Sequence, residues 1–171
     1  MKPADLKLNI GFTLVEFMIT LTIAAIMLSI ALPAMEDFTQ NNRSKTAVDT
    51  LYQDLTMARQ LAASYQNVVT ICHLDGANCD GQWQLGYTLF LDADGSNSFT
   101  SDDEVIQQRP AIAEQDTLQY SAQLVRFNED GSSANHGTFI YCPAENAHYN
   151  RSIALVSSGV IRHLGQQGSC L

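Results

Sequence analysis

The chain has 171 residues, of which 46% are hydrophobic and 16% are charged, a composition that supports a folded protein and excludes intrinsic disorder. Its formal net charge of −9 argues against broad electrostatic attraction to DNA or to anionic lipid headgroups, although it is compatible with a local basic patch. None of its four cysteines forms a CxxC pair, which argues against a zinc ribbon and against a thioredoxin-type redox site.

The first predicted element is an apolar segment from Phe12 to Leu32, which is long enough to cross a membrane as a helix. Its only charged residue is Glu16, which costs about 2.5–3.5 kcal/mol at the bilayer centre, less than the summed gain of the apolar residues. Glu16 falls in the first helical turn, where the helix dipole favours an anion. Lys2 and Lys7 precede the segment, so the positive-inside rule places the N-terminus in the cytoplasm and the rest of the chain outside.

Three interpretations of this segment differ in what they explain. A secretory signal peptide has a shorter apolar core, and a plain membrane anchor gives no role to Glu16. The stretch from Gly11 to Glu16 (GFTLVE), with Pro33 at the end of the span, resembles the class III signal peptide of type IV pilins and pseudopilins. The resemblance implies cleavage between Gly11 and Phe12 by a prepilin peptidase, followed by N-methylation of Phe12. It also implies that Glu16 pairs with the N-terminal amine of a neighbouring subunit, which relieves the desolvation of both charges.

The sequence divides into a leader peptide at residues 1–11, a transmembrane or filament-core helix at 12–34 and an amphipathic helical half at 35–66. Pro33 is expected to kink the helix or to loosen it locally. Apolar residues in the amphipathic half recur at three- and four-residue spacing and predict a stripe that packs against a sheet. The stripe consists of Ala47, Val48, Leu51, Leu55, Ala58, Leu61, Ala62 and Tyr65.

From residue 67 to 171 the pattern changes to short β-type runs, several of them separated by Asp-Gly or Ser-Gly turn signals. The predicted strands are Val68–Cys72, Trp83–Leu91, Glu104–Gln108, Leu118–Tyr120, Leu124–Phe127, Gly137–Cys142, Ser152–Ser157 and Val160–Leu164. A long N-terminal helix followed by many strands predicts an α+β fold. The resemblance implies the type IV pilin fold, in which a spine helix packs on a C-terminal antiparallel β domain that is periplasmic before assembly.

One region makes the resemblance specific to a group of type IV pilins. The stretch QWQLGYTLFLDADGSNSFTSDDEVIQ, residues 82–107, resembles the GspH/FimT/FimU group of minor pilins and pseudopilins, and FimU-type subunits most of all. In that group a Trp-x-x-Gly strand runs into an Asp-rich hairpin. The residues that carry the match are Trp83, Gly86, Phe90, Asp92, Asp94 and Glu104.

The Asp-rich hairpin also has the spacing of a calcium-binding loop. The ligands at EF-hand loop positions 1, 3, 5, 7, 9 and 12 would be Asp92, Asp94, Ser96, Ser98, Thr100 and Asp103. Asn97 replaces the usual Gly at the sixth position, Asp103 is shorter than the usual Glu, and the flanks have strand character. The alternative, which we prefer, is a solvated hairpin whose polar side chains form turns.

Four cysteines behind a membrane-targeting segment indicate two disulfides formed in an oxidising compartment, with three possible pairings. We favour Cys72–Cys79, which closes a tight loop. The complementary pair, Cys142–Cys170, would fasten the C-terminal segment to a strand and contribute roughly 2–4 kcal/mol. A link from Cys72 to Cys170 would change the predicted C-terminal topology.

The sequence gives no support for catalysis and only partial support for DNA binding. HExxH, GxSxG, P-loop and GxGxxG motifs are absent, so we predict no enzyme activity and no cofactor other than the possible calcium ion. Some proteins that resemble this chain bind DNA during natural transformation through a C-terminal Gly-Arg-x-Arg motif. Gly159 and Arg162 match that motif, but Val160 replaces its first arginine, which removes one phosphate contact. We therefore do not expect DNA binding, although Arg151, His148 and His163 could partly compensate.

Together these features predict a minor type IV pilin, made as a single-pass inner-membrane prepilin and then assembled in the pilus at the cell surface. The resemblance implies a place in the priming complex at the pilus tip, where the chain links other minor pilins to the major pilin and supports pilus biogenesis and twitching motility. The expected partners are these pilins, the prepilin peptidase/methyltransferase and, before assembly, the inner membrane. Two alternatives stay open: a type II secretion pseudopilin of the H type, and a DNA-binding minor pilin.

Overall fold

The computed structural model describes residues 13–170, so the predicted leader and Phe12 lie outside the described part of the chain. One α-helix, α1, runs from Leu14 to Tyr65 and continues across Pro33 without interruption. Pro33 therefore does not end the helix, and a bend at this position stays a prediction. The chain forms two compact units, one that ends at Thr39 and one that spans Gln40–Leu171.

The second unit contains the last part of α1 and all of the described strands. In chain order they are β1 (Val68–Cys72), β2 (Leu74–Asp75), β3 (Asn78–Cys79), β4 (Tyr87–Asp92), β5 (Glu104–Arg109), β6 (Thr117–Gln119), β7 (Leu124–Phe127), β8 (Gly137–Cys142), β9 (Arg151–Leu155) and β10 (Ile161–Gly165). Short 3-10 helices occur at Trp83–Leu85, Pro143–Glu145 and Ala147–Tyr149. Every predicted strand region contains an observed strand.

The strands form two antiparallel sheets of four strands each and a two-stranded ribbon. The first sheet has the order β5-β4-β1-β7, the second has the order β10-β9-β8-β6, and β2 pairs with β3. In the first sheet, Ile71 of β1 lies opposite Leu89 of β4 on one side and opposite Val125 of β7 on the other. A long helix packed on antiparallel sheets confirms the predicted α+β class.

The apolar stripe of α1 is the centre of the core of this unit. Five of its members are at most 2% exposed: Val48, Leu51, Leu55, Ala58 and Ala62. They belong to one buried cluster with side chains of both sheets, including Val69, Ile71, Leu89, Val125, Phe139 and Ile153. Burying these side chains supplies the main driving force for folding, at roughly 25 cal/mol per Å² of apolar surface. The helix is thus the element that the two sheets share.

Tyr65, which was predicted to belong to the buried stripe, is 65% exposed. It is the last residue of α1, and the chain turns immediately afterwards at Gln66, whose φ is +49°, to enter β1. The periodicity continues to Tyr65, but the helix ends there and the side chain is left outside the core.

Trp83 is a second correction, because it does not begin a strand but lies in a 3-10 helix, and the observed strand begins at Tyr87. Its indole is 1% exposed and packs edge-on against the rings of Phe139 and Tyr120, with centroids 4.9 and 5.6 Å away. The indole N–H donates to the carbonyl of Ala122 at 3.0 Å. Burial of this ring and its hydrogen bond outweighs the β-propensity of the local sequence. The β2–β3 ribbon was not predicted, since two-residue strands are too short to show alternation.

Two hydrogen bonds join α1 to the turn between β7 and β8 and to the turn between β9 and β10. The guanidinium of Arg59 donates from Nε to the carbonyl of Gly131 at 3.1 Å and from Nη2 to the carbonyl of Ser158 at 3.4 Å. Gly131 follows β7 of the first sheet, and Ser158 precedes β10 of the second. Gly159 has a φ of +74°, and a Cβ atom there would lie 1.8 Å from the Gly131 carbonyl oxygen. The two turns can meet only because residue 159 has no side chain.

Substitution of this glycine tests the contact. Gly165→Ala is the matched control, because Gly165 has nearly the same φ, +72°, but no atom lies within 4 Å of the position that a Cβ would occupy. We expect Gly165→Ala to cost about 1 kcal/mol from backbone conformation alone. Gly159→Ala should cost roughly 3 kcal/mol or more, because the turns must also separate. Urea unfolding of the Gln40–Leu171 unit measures both, and equal losses would contradict the contact.

Candidate functional site

The first turn of α1 holds the one carboxylate of the apolar segment. The hydroxyl of Thr13 accepts a hydrogen bond from the backbone N–H of Glu16 at 3.2 Å, which is one half of a Thr-x-x-Glu capping box. Glu16 therefore lies in the first turn, as predicted, and it is exposed. No group within residues 13–170 forms a hydrogen bond or an ion pair with its carboxylate. Gly11 and Phe12, the predicted cleavage and methylation positions, lie outside the described residues.

Residues 17–39 of α1 present a mainly apolar surface. Every residue from 13 to 39 is exposed, and α1 contains a segment long and apolar enough to cross a membrane, with a mean hydropathy of 2.2. Side-chain hydroxyls in this segment donate to backbone carbonyls of the preceding turn: Thr20, Thr22 and Ser29. Because the helix itself satisfies these groups, they can lie in hydrocarbon or against another helix at little cost.

A buried ion pair joins α1 to the first sheet. Asp54 lies on the buried face of the helix and is 2% exposed. Arg109, at the end of β5, donates to both carboxylate oxygens, from Nε and from Nη2, each at 2.8 Å, and the hydroxyl of Tyr87 donates at 2.8 Å. Burial and the neighbouring Asp54 charge raise the pKa of Tyr87, and the hydrogen bond with Asp54 raises the pKa of Arg109. Both donors therefore stay protonated, and the buried carboxylate is fully paired.

A second buried carboxylate joins α1 to the second sheet. Asp116, which precedes β6, is 3% exposed and accepts from Arg43 Nη2 of the helix at 2.9 Å. It also accepts from the hydroxyl of Tyr141 in β8 and from the backbone N–H of Ala144 at 2.8 Å. Burial raises the pKa of Tyr141, which keeps its hydroxyl a donor.

Neither ion pair was predicted from the sequence, because the partners are 55 and 73 positions apart. One signal was available: Asp54 interrupts the apolar stripe between Leu51 and Leu55. A carboxylate at a core position needs a partner, so this interruption predicts a buried cation without identifying it.

Both disulfides form with the pairing favoured from the sequence. Cys72 is bonded to Cys79, with Cα atoms 5.5 Å apart, and Cys142 is bonded to Cys170, with Cα atoms 5.9 Å apart. The first closes the β2–β3 ribbon onto the end of β1. The second attaches the C-terminal segment to β8, so both loop-rich ends of the unit are covalently fixed.

The Asp-rich loop between β4 and β5 brings together three of the six predicted calcium ligands. Carboxylate oxygens of Asp92, Asp94 and Asp103 lie within 4.8 Å of one another. Asp92 is fully buried and accepts from the backbone N–H groups of Ser96 at 2.9 Å and Asn97 at 3.0 Å. Asn97 has a φ of +63°, a left-handed conformation that asparagine tolerates better than most residues.

Hydrogen bonds within the loop engage the other predicted ligands. Asp103 accepts from the backbone N–H groups of Ala93 at 2.9 Å and Thr100 at 2.7 Å, and from the Thr100 hydroxyl at 3.1 Å. The hydroxyl of Ser96 donates to the carbonyl of Ser98 at 3.0 Å. These bonds account for the loop conformation as an Asx-type turn network, the alternative preferred from the sequence.

Calcium binding stays a prediction, and calorimetric titration of the Gln40–Leu171 unit tests it. We expect no binding heat at millimolar calcium, because backbone amides already engage the carboxylates and Arg126 donates to the Asn97 side chain at 2.9 Å. Binding heat that Asp103→Asn abolishes, and that the neighbouring Asp102→Asn leaves unchanged, would contradict this expectation and establish the site.

Arg162, the candidate DNA contact, lies on β10 and is exposed. No group within residues 13–170 hydrogen-bonds or pairs with its guanidinium. Two of the three residues that could supplement it are engaged elsewhere. The ring of His163 packs at a tilt on Tyr52 of α1, with centroids 4.5 Å apart, and Arg151 donates to an asparagine of α1 at 2.8 Å. Gly159, the other match to the DNA-binding motif, is accounted for by its contact with the turn after β7. That the chain does not bind DNA stays a prediction.

Comparison with known proteins places these features in a family. The family model described as type II transport protein GspH matches residues 47–159, and the prokaryotic N-terminal methylation motif matches residues 7–32. No curated protein matches the chain.

Solved structures show the same fold. The type IV minor pilin FimU of Pseudomonas aeruginosa is similar in two crystal forms. The first crystal form has a TM-score of 0.64 and 21% sequence identity, and the match covers 78% of this chain and 99% of that chain. The second has a TM-score of 0.60 and 19% identity, and the match covers 74% of this chain and 99% of that chain. The minor pseudopilin EpsH of the Vibrio cholerae type 2 secretion system has a TM-score of 0.55 and 12% identity over 74% and 99%. The chain therefore belongs to the GspH family and has the type IV pilin fold, with a long N-terminal helix packed on antiparallel sheets.

Proposed function

We propose that the chain is a minor type IV pilin, a structural subunit that joins a filament through its N-terminal helix. The observation that carries this proposal is the first part of α1, in which every residue from 13 to 39 is exposed, most side chains are apolar, and one carboxylate lies in the first turn. Such a surface is stable only in lipid or against other helices. The methylation motif and the family match support the filament.

The proposed mechanism is assembly without a catalytic step by this chain. As a prepilin, it holds its apolar segment in the inner membrane with the Gln40–Leu171 unit on the periplasmic side. Cleavage after Gly11 creates an N-terminal amine on Phe12. In the low-dielectric filament core, Glu16 of one subunit pairs with the amine of a neighbour, which compensates the desolvation of both charges and sets the axial register.

The apolar helix supplies the packing surface for this assembly. Because Thr20, Thr22 and Ser29 bond to their own helix, the segment can pack against neighbouring helices without unsatisfied hydroxyls. Within the second unit, the buried pairs of Asp54 and Asp116 hold residues 40–65 of the helix on both sheets.

The finer role we infer is membership of the priming complex at or near the pilus tip, connecting other minor pilins to the major pilin. Its support is the likeness to FimU, a type IV minor pilin. The second candidate is an H-type pseudopilin of type II secretion, which the family description and the likeness to EpsH favour. A deletion strain separates them: loss of surface pili and twitching supports the pilin, whereas loss of secretion with normal pili supports the pseudopilin.

Substitution of Glu16 tests the proposed function. We expect Glu16→Ala to insert in the membrane and to be cleaved normally but to disappear from sheared surface filaments. The reason is that a neighbour's amine would remain buried without a partner, at a cost of about 3–5 kcal/mol. Glu36→Ala, which removes another exposed acid of the same helix, is the matched control and should assemble. Immunoblots of the sheared and membrane fractions measure both, and normal assembly of Glu16→Ala would refute the mechanism.

A further inference from the structure

The open edge of the first sheet has features that the helix-based assembly does not use. β5 pairs with β4 alone, so the backbone groups on its other side are available to another strand. Among the described residues, one side chain bonds to this backbone: the Gln107 amide donates to the carbonyl of Gln108 at 3.1 Å. An unpaired edge of six residues is a template for the addition of an extended segment.

Exposed apolar side chains gather around the same strand. Within residues 40–170 the large hydrophobic side chains that are exposed are Tyr65, Leu85 and Val105. Val105 lies in β5 and borders two open grooves. Tyr65 lines one of these grooves and Leu85 lines the other, so all three exposed side chains belong to one region. Exposed apolar residues that cluster, rather than scatter, mark a contact surface.

The two grooves flank β5 and define the shape of the partner. The first, of about 490 Å³, lies between β5 and the end of α1, where Leu61 and Tyr65 wall it. The second, of about 390 Å³, lies between β5 and β2, with Leu74, Leu85 and Phe99 in its wall. Successive side chains of a strand point to opposite faces of its sheet. A segment that pairs with β5 would therefore run beside both grooves and present side chains toward each face of the sheet.

The charge along the β5 edge predicts a further property of the partner. Glu104 is exposed, lines the groove beside α1 and has no hydrogen-bond or ion-pair partner in the part of the chain that the structure describes. In the other groove, Arg109 uses Nε and Nη2 for Asp54 and is already compensated. The edge is thus net acidic and favours a basic side chain at the Glu104 end.

We propose that β5 docks an extended segment of a different pilin that neighbours this chain in the filament, with apolar side chains for both grooves and a lysine or arginine facing Glu104. This inference rests on the proposed filament function and names the contact that the folded unit adds to it. The register of the β4–β5 pairing shifts between Leu89 and Phe90, which leaves Ile106 of β5 as the extra residue of a bulge. A bulged edge disfavours indiscriminate strand pairing.

Site-specific photocrosslinking in the full-length chain, produced in its own cells, tests the contact. The photoreactive residue p-benzoylphenylalanine replaces Val105, and the matched control replaces Leu164, an apolar residue of β10 at the edge of the second sheet. We expect an adduct with another pilin subunit, mapped by mass spectrometry to an extended segment. The adduct yield at Val105 should exceed the adduct yield at Leu164 by about tenfold, which is the effect of one or two hydrogen bonds on a binding equilibrium.

Reversing the charge of Glu104 is the second part of the crosslinking test. Glu104→Arg should lower the Val105 adduct by about tenfold, because it places like charges together. Asp102→Arg is the control, since Asp102 is an exposed acid of the loop just before β5 that lines neither groove, and it should leave the yield unchanged. Both positions are exposed, so neither change threatens the fold.

The outcomes separate this inference from the proposed function. If the chain enters filaments in a Glu16-dependent way but Val105 gives no pilin adduct, or no more than Leu164 gives, the β5 contact is wrong and the pilin function stands. An adduct with a second copy of the chain alone would also overturn the proposed partner. A chain that never enters filaments would overturn the function, and the contact with it.

Discussion

A charge buried between helix and sheet constrains this fold more than any other single interaction. Asp54 lies on the apolar face of α1 at 2% exposure, and a carboxylate in that position costs several kcal/mol unless it is paired. Arg109 and Tyr87 supply three hydrogen bonds from neighbouring strands. An apolar stripe tolerates sliding against a sheet, whereas a bidentate ion pair does not. The pair therefore fixes the rotation and the register of residues 40–65 of α1 on the first sheet.

Other polar contacts hold the same part of α1 on the second sheet. The surfaces that these contacts do not use are available for assembly. Arg43 donates to Asp116 beside β6, and Arg59 donates to carbonyls in the β7–β8 turn and the β9–β10 turn. No comparable contact occurs among the described residues 13–39, which present mainly apolar side chains for lipid or partner helices. β5 takes part both in holding the helix and in assembly. Arg109 at its end bonds to Asp54 of α1, while the outer edge of the strand pairs with no other described strand.

The sequence predicted what depends on local pattern and missed what depends on distant partners. The helical stripe, the run Val68–Cys72 and the Asp-Gly turns are encoded within a few residues, and the structure contains them. Trp83 lies outside a strand because its ring packs on Tyr120 and Phe139. Both residues are distant in the sequence, so the local sequence pattern could not predict this contact. The partner of Asp54 is 55 positions away, so only the need for a cation was evident. Gly159 matched a DNA-binding motif, yet close packing against Gly131 accounts for it.

The most direct test of this account is a double-mutant cycle on Asp54 and Arg109, measured by urea unfolding of the Gln40–Leu171 unit. Arg109→Ala leaves a buried carboxylate uncompensated and should cost about 3–5 kcal/mol. Asp54→Ala should cost less, about 1–3 kcal/mol, because the partly exposed Arg109 side chain can turn to water. The account predicts that the double variant is more stable than Arg109→Ala alone. Strictly additive losses would show that the pair does not determine how the helix is held.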